Sequence, residues 1–395
     1  MKTPTLLGAL TAAGISMLPA ASAPEAVNSL GLSLLRNLET PGTNALISPY
    51  SIQQAMVMAF AGAAGDTRTQ MARALDYAEM DAVAEFASLA GALGASESAD
   101  SKTQLSMANR LFGQAGYPFH QAFLDTLRDR LGAPMEYADF AKSPLSATKR
   151  INGWVEEQTR KKIRNLIPPP AITEETRLVI VNAIYLKAPW LNAFDPKNTR
   201  EAPFQTAAGA SKTLPFLNKT DSFGYWEGDG FKAAALPYAD RNFQFVVILP
   251  DGDPSEFLAS VGADFFKQAA RMPSRQVALS MPKFRLEPDL LELRPALEKL
   301  GMPSAFDIPR GSADFSGIAP RQPDDYLFID AVFHKAFIEI DEAGTEAAAA
   351  TAVVMMRATS APMEPVRLTV DKPFLFAVQH RPTGACLFLG CVSEP

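Results

Sequence analysis

Through much of the first half of the chain, apolar residues recur at helical spacing, whereas the second half is dominated by short apolar or alternating runs. From Ile151, the positions Trp154, Val155, Ile163 and Leu166 keep the helical period until Pro168, Pro169 and Pro170 interrupt it, so the spacing predicts a helix closing before residue 168. Ser48-Pro49 places a capping hydroxyl and a pre-set φ at a helix start. Thr67 and Gln70, after Gly65, have the form of a capping box. Strand-like runs occupy residues 178–186, 243–249, 277–286, 327–340, 374–378 and 385–392. Helices in front and strands behind predict an α+β fold, not an alternating doubly wound sheet. No repeat or flexible linker divides residues 23–395, which are expected to form one domain.

The extreme N-terminus has a different pattern. Lys2 precedes an apolar stretch over residues 6–18 and then Pro19-Ala20-Ala21-Ser22-Ala23, the order of an export signal. Residues 1–22 are therefore expected to be a removable signal peptide and the product to be secreted or periplasmic. No other stretch has the roughly 18 apolar residues of a membrane span, so no membrane partner is expected.

Composition narrows the chemistry. The chain has 395 residues, 47% hydrophobic and 20% charged, enough for a large core. With 37 basic against 43 acidic residues and a net charge of -6, it is a poor partner for nucleic acid. Two cysteines, Cys386 and Cys391, supply neither a disulfide scaffold nor a four-thiolate zinc site. Their offset of five on one strand would put them on opposite faces. His120, His334 and His380 form no metal-binding pair, and there is no G-x-S-x-G elbow or phosphate-cradling glycine loop, so no metal or cofactor is expected. Ser146-Ala147-Thr148-Lys149 matches the S-x-x-K element of serine acyltransferases, but its S-D-N and K-T-G companions are missing. A periplasmic acyltransferase is thus a remote alternative. Glu156-Glu157 and Lys161-Lys162 read as a solvated helix face.

The segment over residues 344–356 contradicts itself. Its four alanines favour helix, its later residues favour strand, and its continuation to Pro365 is long for a loop inside a domain. As a strand, one face carries Thr345, Ala347, Ala349, Thr351, Val353 and Met355, and the other holds the charge of Glu346. The uncharged face could turn inward if the segment slid between two strands, while a one-residue slip would bury Glu346. An alanine-rich surface helix or tether is the other reading of this segment.

The surrounding residues carry a resemblance. Glu339-Ile340-Asp341-Glu342-Ala343-Gly344-Thr345-Glu346, followed by Ala347, Ala348, Ala349 and Ala350, resembles the hinge of a serpin reactive-centre loop. Asn44-Ala45-Leu46-Ile47-Ser48-Pro49-Tyr50-Ser51, Ala108-Asn109-Arg110-Leu111-Phe112 and Ile151-Asn152-Gly153-Trp154-Val155 match further blocks of that family in order and spacing. So do Asn182-Ala183-Ile184-Tyr185-Leu186-Lys187 with Trp190 and Phe194, Leu236-Pro237-Tyr238, Pro282-Lys283-Phe284, His334-Lys335-Ala336 and Leu387-Phe388-Leu389-Gly390. Two departures are Ala188, where the family usually has glycine, and Ala343, where a charged residue is common before the hinge glycine.

The resemblance implies a serpin fold with three β-sheets, eight to nine helices and an exposed reactive-centre loop at about residues 342–366. It implies suicide inhibition of a serine or cysteine protease: the loop is cut, the acyl-enzyme is trapped, and the loop enters the main sheet as a new strand. The implied hinge is Glu342, Gly344, Thr345, Glu346, Ala347, Ala348, Ala349, Ala350 and Thr351. The implied shutter is Ser48, Ser51, Asn182 and His334, and the implied breach is Lys187 and Trp190. Counting along the hinge puts the reactive bond at Ala358-Thr359, for an elastase-like or subtilisin-like target, or at Arg357-Ala358, for a trypsin-like one. The implied partner is the target protease, held covalently by a monomer. Asp76, Glu79, Asp81 and Glu85 face Arg73 alone where heparin-responsive members are basic, so no heparin activation is expected. A non-inhibitory serpin acting as carrier or chaperone is the alternative.

Overall fold

The computed structural model describes residues 22–38, 40, 42–77, 81–96, 103–345 and 364–395. Among them are nine α-helices: α1 (Ala23–Leu38), α2 (Pro49–Phe60), α3 (Gly65–Ala74), α4 (Ala82–Gly94), α5 (Gln121–Asp125), α6 (Pro144–Gln158), α7 (Pro254–Ser260), α8 (Asp264–Ala269) and α9 (Arg294–Lys299). The first strands are β1 (Ala45–Ile47), β2 (Gln104–Gln114), β3 (Glu136–Ala138), β4 (Leu178–Pro189), β5 (Arg200–Gln205), β6 (Ser211–Gly228), β7 (Phe231–Pro237) and β8 (Phe243–Pro250). The remainder are β9 (Ser274–Pro282), β10 (Phe284–Leu286), β11 (Leu291–Glu292), β12 (Phe333–Ile340), β13 (Gly344–Thr345), β14 (Val366–Thr369), β15 (Phe374–His380) and β16 (Cys386–Val392).

One sheet has seven strands in the order β10-β12-β13-β4-β2-β3, with β11 also paired to β12. Its two faces pack on different apolar clusters. Ile180, Ile184 and Leu186 of β4 point into the main core with α1, α2 and α4, while Val181 and Ala183 meet Ile151, Val155, Ile163 and Ile167 around α6. A strand covered on both faces reads as one unbroken apolar run, which is why β4 was legible as residues 178–186. The second hydrogen-bonded network has the order β1-β16-β15-β8-β7-β6-β9-β14, with β5 on β6. Its 18-residue strand β6 pairs with β5 and β9 along its length and with β7 only at its end. One long strand thereby joins two of the three expected sheets.

Several local expectations change in the fold. Ser48 caps α2 as expected, its Oγ accepting from the Ser51 N–H at 3.2 Å, and Pro49 opens the helix. Thr67 and Gln70 form no capping box, because tertiary partners compete for them. Thr67 Oγ1 accepts from Asp314 N–H (3.0 Å), and Gln70 Oε1 accepts from Ser304 N–H (2.9 Å). Helix α6 ends at Gln158, and Arg160 and Lys161 have φ of +51° and +64°, so Lys161 and Lys162 do not continue the face of Glu156 and Glu157. Thr159 closes that turn with its buried hydroxyl, donating to Val155 O at 2.7 Å and accepting from Ile163 N–H at 3.2 Å. In the run over residues 327–340 only Phe333–Ile340 is a strand. Cys386 and Cys391 form no disulfide and are buried on β16.

Candidate functional site

Strands β4 and β12 pair in parallel from Phe333 opposite Val181 to Phe337 opposite Tyr185. Above that point they diverge, and β13 fills the fork. Thr345 pairs antiparallel with both Ile340 and Ala188, and Gly344 pairs with Pro189. The turn that returns the chain from β12 is built by Asp341, whose Oδ1 accepts from the N–H groups of Ala343 (2.8 Å) and Gly344 (3.0 Å). Asp is suited to such a turn because its short carboxylate reaches backbone donors two and three residues ahead. Gly344 has φ +151°, and a Cβ there would come within 2.2 Å of Ala188 O. The fork therefore admits only glycine at this position.

Neighbouring aromatics hold the turn from behind. Trp190 donates Nε1–H to Asp341 O and its backbone N–H to Ala343 O, both at 2.9 Å, and Phe194 N–H donates to Glu342 O at 2.8 Å. Trp190 stacks on Tyr238 with centroids 4.9 Å apart and planes 3° apart. The Tyr238 hydroxyl is 2.5 Å from Thr345 Oγ1. Burial pushes the Tyr238 phenol up, the Thr345 hydrogen bond opposing it, so it remains neutral. Glu342 accepts from Lys283 Nζ and from Thr199 Oγ1, each at 2.7 Å. Its partial burial alone would raise its pKa, but these hydrogen bonds hold the carboxyl below its usual range. Lys187 lies half-buried on β4, opposite Gln104 of β2.

Lower down, a buried polar cluster bridges β4, β12, β2 and α2. His334 Nε2 accepts from Ser48 N–H (3.1 Å), so Nδ1 carries the proton and donates to Asn182 Oδ1 (2.5 Å). Asn182 Nδ2 donates to Ser51 Oγ (2.7 Å) and Asn109 Oδ1 (3.0 Å), and Ser51 Oγ donates to Asn109 at 2.9 Å. Asn109 passes the network on to Gln54. Burial depresses the His334 pKa to about 3, so the ring is neutral. At the bottom of the sheet, where residues 327–332 form no strand, a cavity of about 260 Å³ lies between Leu178, Ile180, Leu327, Ile329 and Asp330.

The fold thus brings together the four residues expected at the shutter and sets Trp190 of the expected breach against the turn, while Lys187 lies on β4 opposite Gln104. It adds Asn109, Gln54, Tyr238, Lys283 and Thr199, which sequence reasoning gave no role. The available signal was Asn109, a lone amide inside an apolar strand pattern, and the Tyr238 and Lys283 blocks of the resemblance. Hinge residues Glu346 to Thr351 and the reactive-bond candidates Arg357, Ala358 and Thr359 lie outside the described residues. Ser146 and Lys149 are both exposed on α6, which gives the acyltransferase alternative no enclosed site.

Comparison with known proteins agrees with this geometry. Residues 25–395 match the family model described as serpin (serine protease inhibitor). The chain is a serpin. The leukocyte elastase inhibitor of Bos taurus is 34% identical to this serpin over 378 residues, covering 93% of this chain and 97% of that protein. Serpin B6 of Pongo abelii is 34% identical over 383 residues, covering 94% and 99%. Among solved structures, the thermophilic serpin tengpin in its native state superposes with TM-score 0.82 at 27% identity, covering 94% of each chain.

The same relatives correct one expectation. Leukocyte elastase inhibitor is matched over 97% of its own length and serpin B6 over 99%, which leaves neither room for a counterpart of a 22-residue leader. Both point away from export, and the secreted or periplasmic location read from the N-terminus is withdrawn.

Proposed function

We propose that this serpin is a monomeric suicide inhibitor of serine or cysteine proteases, with a target of elastase-like or subtilisin-like preference cutting between Ala358 and Thr359. The observation that carries the reading is β13: the hinge residues Gly344 and Thr345 already stand as a strand in the fork between β4 and β12. Continuing that register brings Thr351 opposite Asn182 on one side and His334 on the other, Val353 opposite Ile180 and Val332, and Met355 opposite Leu178 and Asp330. The inserting strand would part the His334–Asn182 hydrogen bond and offer the Thr351 hydroxyl, donor and acceptor at once, in its place. Its far end would enter the 260 Å³ cavity.

In the proposed reaction the protease nucleophile attacks the carbonyl carbon of Ala358 and the amine of Thr359 leaves. Insertion then competes with the water that would release the acyl group. Incubation with elastase should give an SDS-stable adduct and a released peptide beginning at Thr359 by mass spectrometry. A peptide beginning at Ala358, with trypsin the better target, would move the reactive bond to Arg357-Ala358. A cut outside residues 356–360 would overturn both. Clean cleavage without an adduct would leave the carrier or chaperone reading. Asp81, the N-cap of α4, adds negative charge to that region, and heparin is expected to leave the inhibition rate unchanged.

A further inference from the structure

A second concave surface lies on the other network, on the outer side of β5, β6, β9 and β14. Its volume is about 500 Å³. The register aligns Arg367, Ala278 and Thr220 in one row and Thr369, Ser280 and Asn218 in the next, with Arg200 at the opposite border. No carboxylate lines it, although acidic residues outnumber basic ones in the chain, 43 to 37. The Arg367 side chain is exposed and, among the described residues, makes no ion pair or hydrogen bond. Arg200 uses one nitrogen on the carbonyls of Lys197 and Thr199, which fixes its stem and leaves other donors outward. Two arginines border a floor of hydroxyl, amide and methyl groups, a surface that fits an anionic protein face.

Its position says which one. Val366 lies eight positions after Ala358, so the tether from the reactive bond to β14 spans at most about 29 Å. A protease of about 220 residues has a radius of gyration near 17 Å and a body about 45 Å across. A protease engaged on the loop is therefore held against the surface beside β14. We propose that this concavity is a docking surface for the target protease, in which Arg367 and Arg200 engage acidic residues on the protease body and accelerate capture. The inference rests on the inhibitor reading.

The test compares Arg367→Glu, Arg367→Gln and Arg200→Glu with the wild-type chain, against whichever of elastase, subtilisin and trypsin the wild type traps covalently. The expected result is a wild-type association rate that falls with added salt. Arg367→Glu should be about tenfold slower at low ionic strength, with the difference vanishing at high salt. Arg367→Gln should lie between, Arg200→Glu should slow capture with the same salt dependence, and both Arg367 variants should keep unchanged melting temperatures and inhibition stoichiometry. Salt-independent association, or variants as fast as wild type, would overturn the docking surface while leaving the inhibitor reading intact. Absence of any wild-type adduct would instead remove the inhibitor reading and this inference with it. Retention on immobilised heparin that Arg367→Glu abolishes, without a change in the rate of protease capture, would assign the surface to a polyanion and overturn the proposal.

Discussion

His334 sits where β4, β12 and α2 meet, and burial is what holds its pKa at about 3. In the unfolded chain the ring returns to about 6.5 and binds a proton that the folded protein refuses. Stability contributed by the neutral ring is therefore complete above about pH 6.5 and declines as pH falls toward 3, by about 1.4 kcal/mol per unit, or about 2 kcal/mol at pH 5. His380, held near 4 chiefly by burial, adds a slope of the same sign over a narrower window. Denaturant unfolding from pH 7 to 4.5 should show this loss, and His334→Gln should flatten it. An unchanged slope in that variant would assign the acid lability elsewhere. The Tyr238–Thr345 pair poses a separate question of the same size. Both hydroxyls are buried, so Tyr238→Phe or Thr345→Val alone strands one partner and should cost about 1–3 kcal/mol of native stability. The double variant strands neither and should cost less than the sum. At this scale His334, Asn182, Ser48 and Ser51 were legible only through the family resemblance. Their further partners Asn109 and Gln54 were hidden because they come from elements that meet only in the folded sheet.

Among the elements, the two-residue β13 is the most informative. Its pairing with Ala188 and Ile340 sets which face of any continuing strand turns inward, because alternation along a strand is strict. Thr345 faces the main core, so Val353 would do so as well, between Ile180 and Val332, whereas Val354 would turn to the other face, beside Val179. Val353→Glu should then convert the inhibitor into a substrate, raising the amount of serpin consumed per protease inactivated. Val354→Glu should leave stoichiometry nearly unchanged. Equal effects of the two would contradict the register. Elements were legible where burial is complete, as in β8 and β16, or nearly so, as in the centre of β4. Strand β6 escaped notice because polar Lys212, Asn218, Lys219, Asp221 and Ser222 interrupt it and lie partly in solvent. Residues 327–332 have strand composition but no strand beside them. They border the cavity where β4 and the approach to β12 stand apart.

For the whole molecule, the question is what the fork between β4 and β12 would gain from a longer strand paired on both sides. Ordering about ten further residues costs about 1–2 kcal/mol each, and their backbone hydrogen bonds return about 1 kcal/mol net apiece. The decisive gain is apolar burial at the bottom of the sheet, at about 25 cal/mol per Å² for Val353 and Met355 and the walls they would cover. An intact loop cannot collect it, because residues 366–369 anchor its other end beside β9. Cutting the loop removes that restraint. The melting temperature should therefore rise by at least about 10 °C on cleavage, several kcal/mol at a few degrees each. The cleaved form should also resist denaturant concentrations that unfold the intact chain. If cleaved and intact protein melt together, β13 is a structural plug and not the start of an insertion, and the inhibitor reading falls even if the protease cuts where expected.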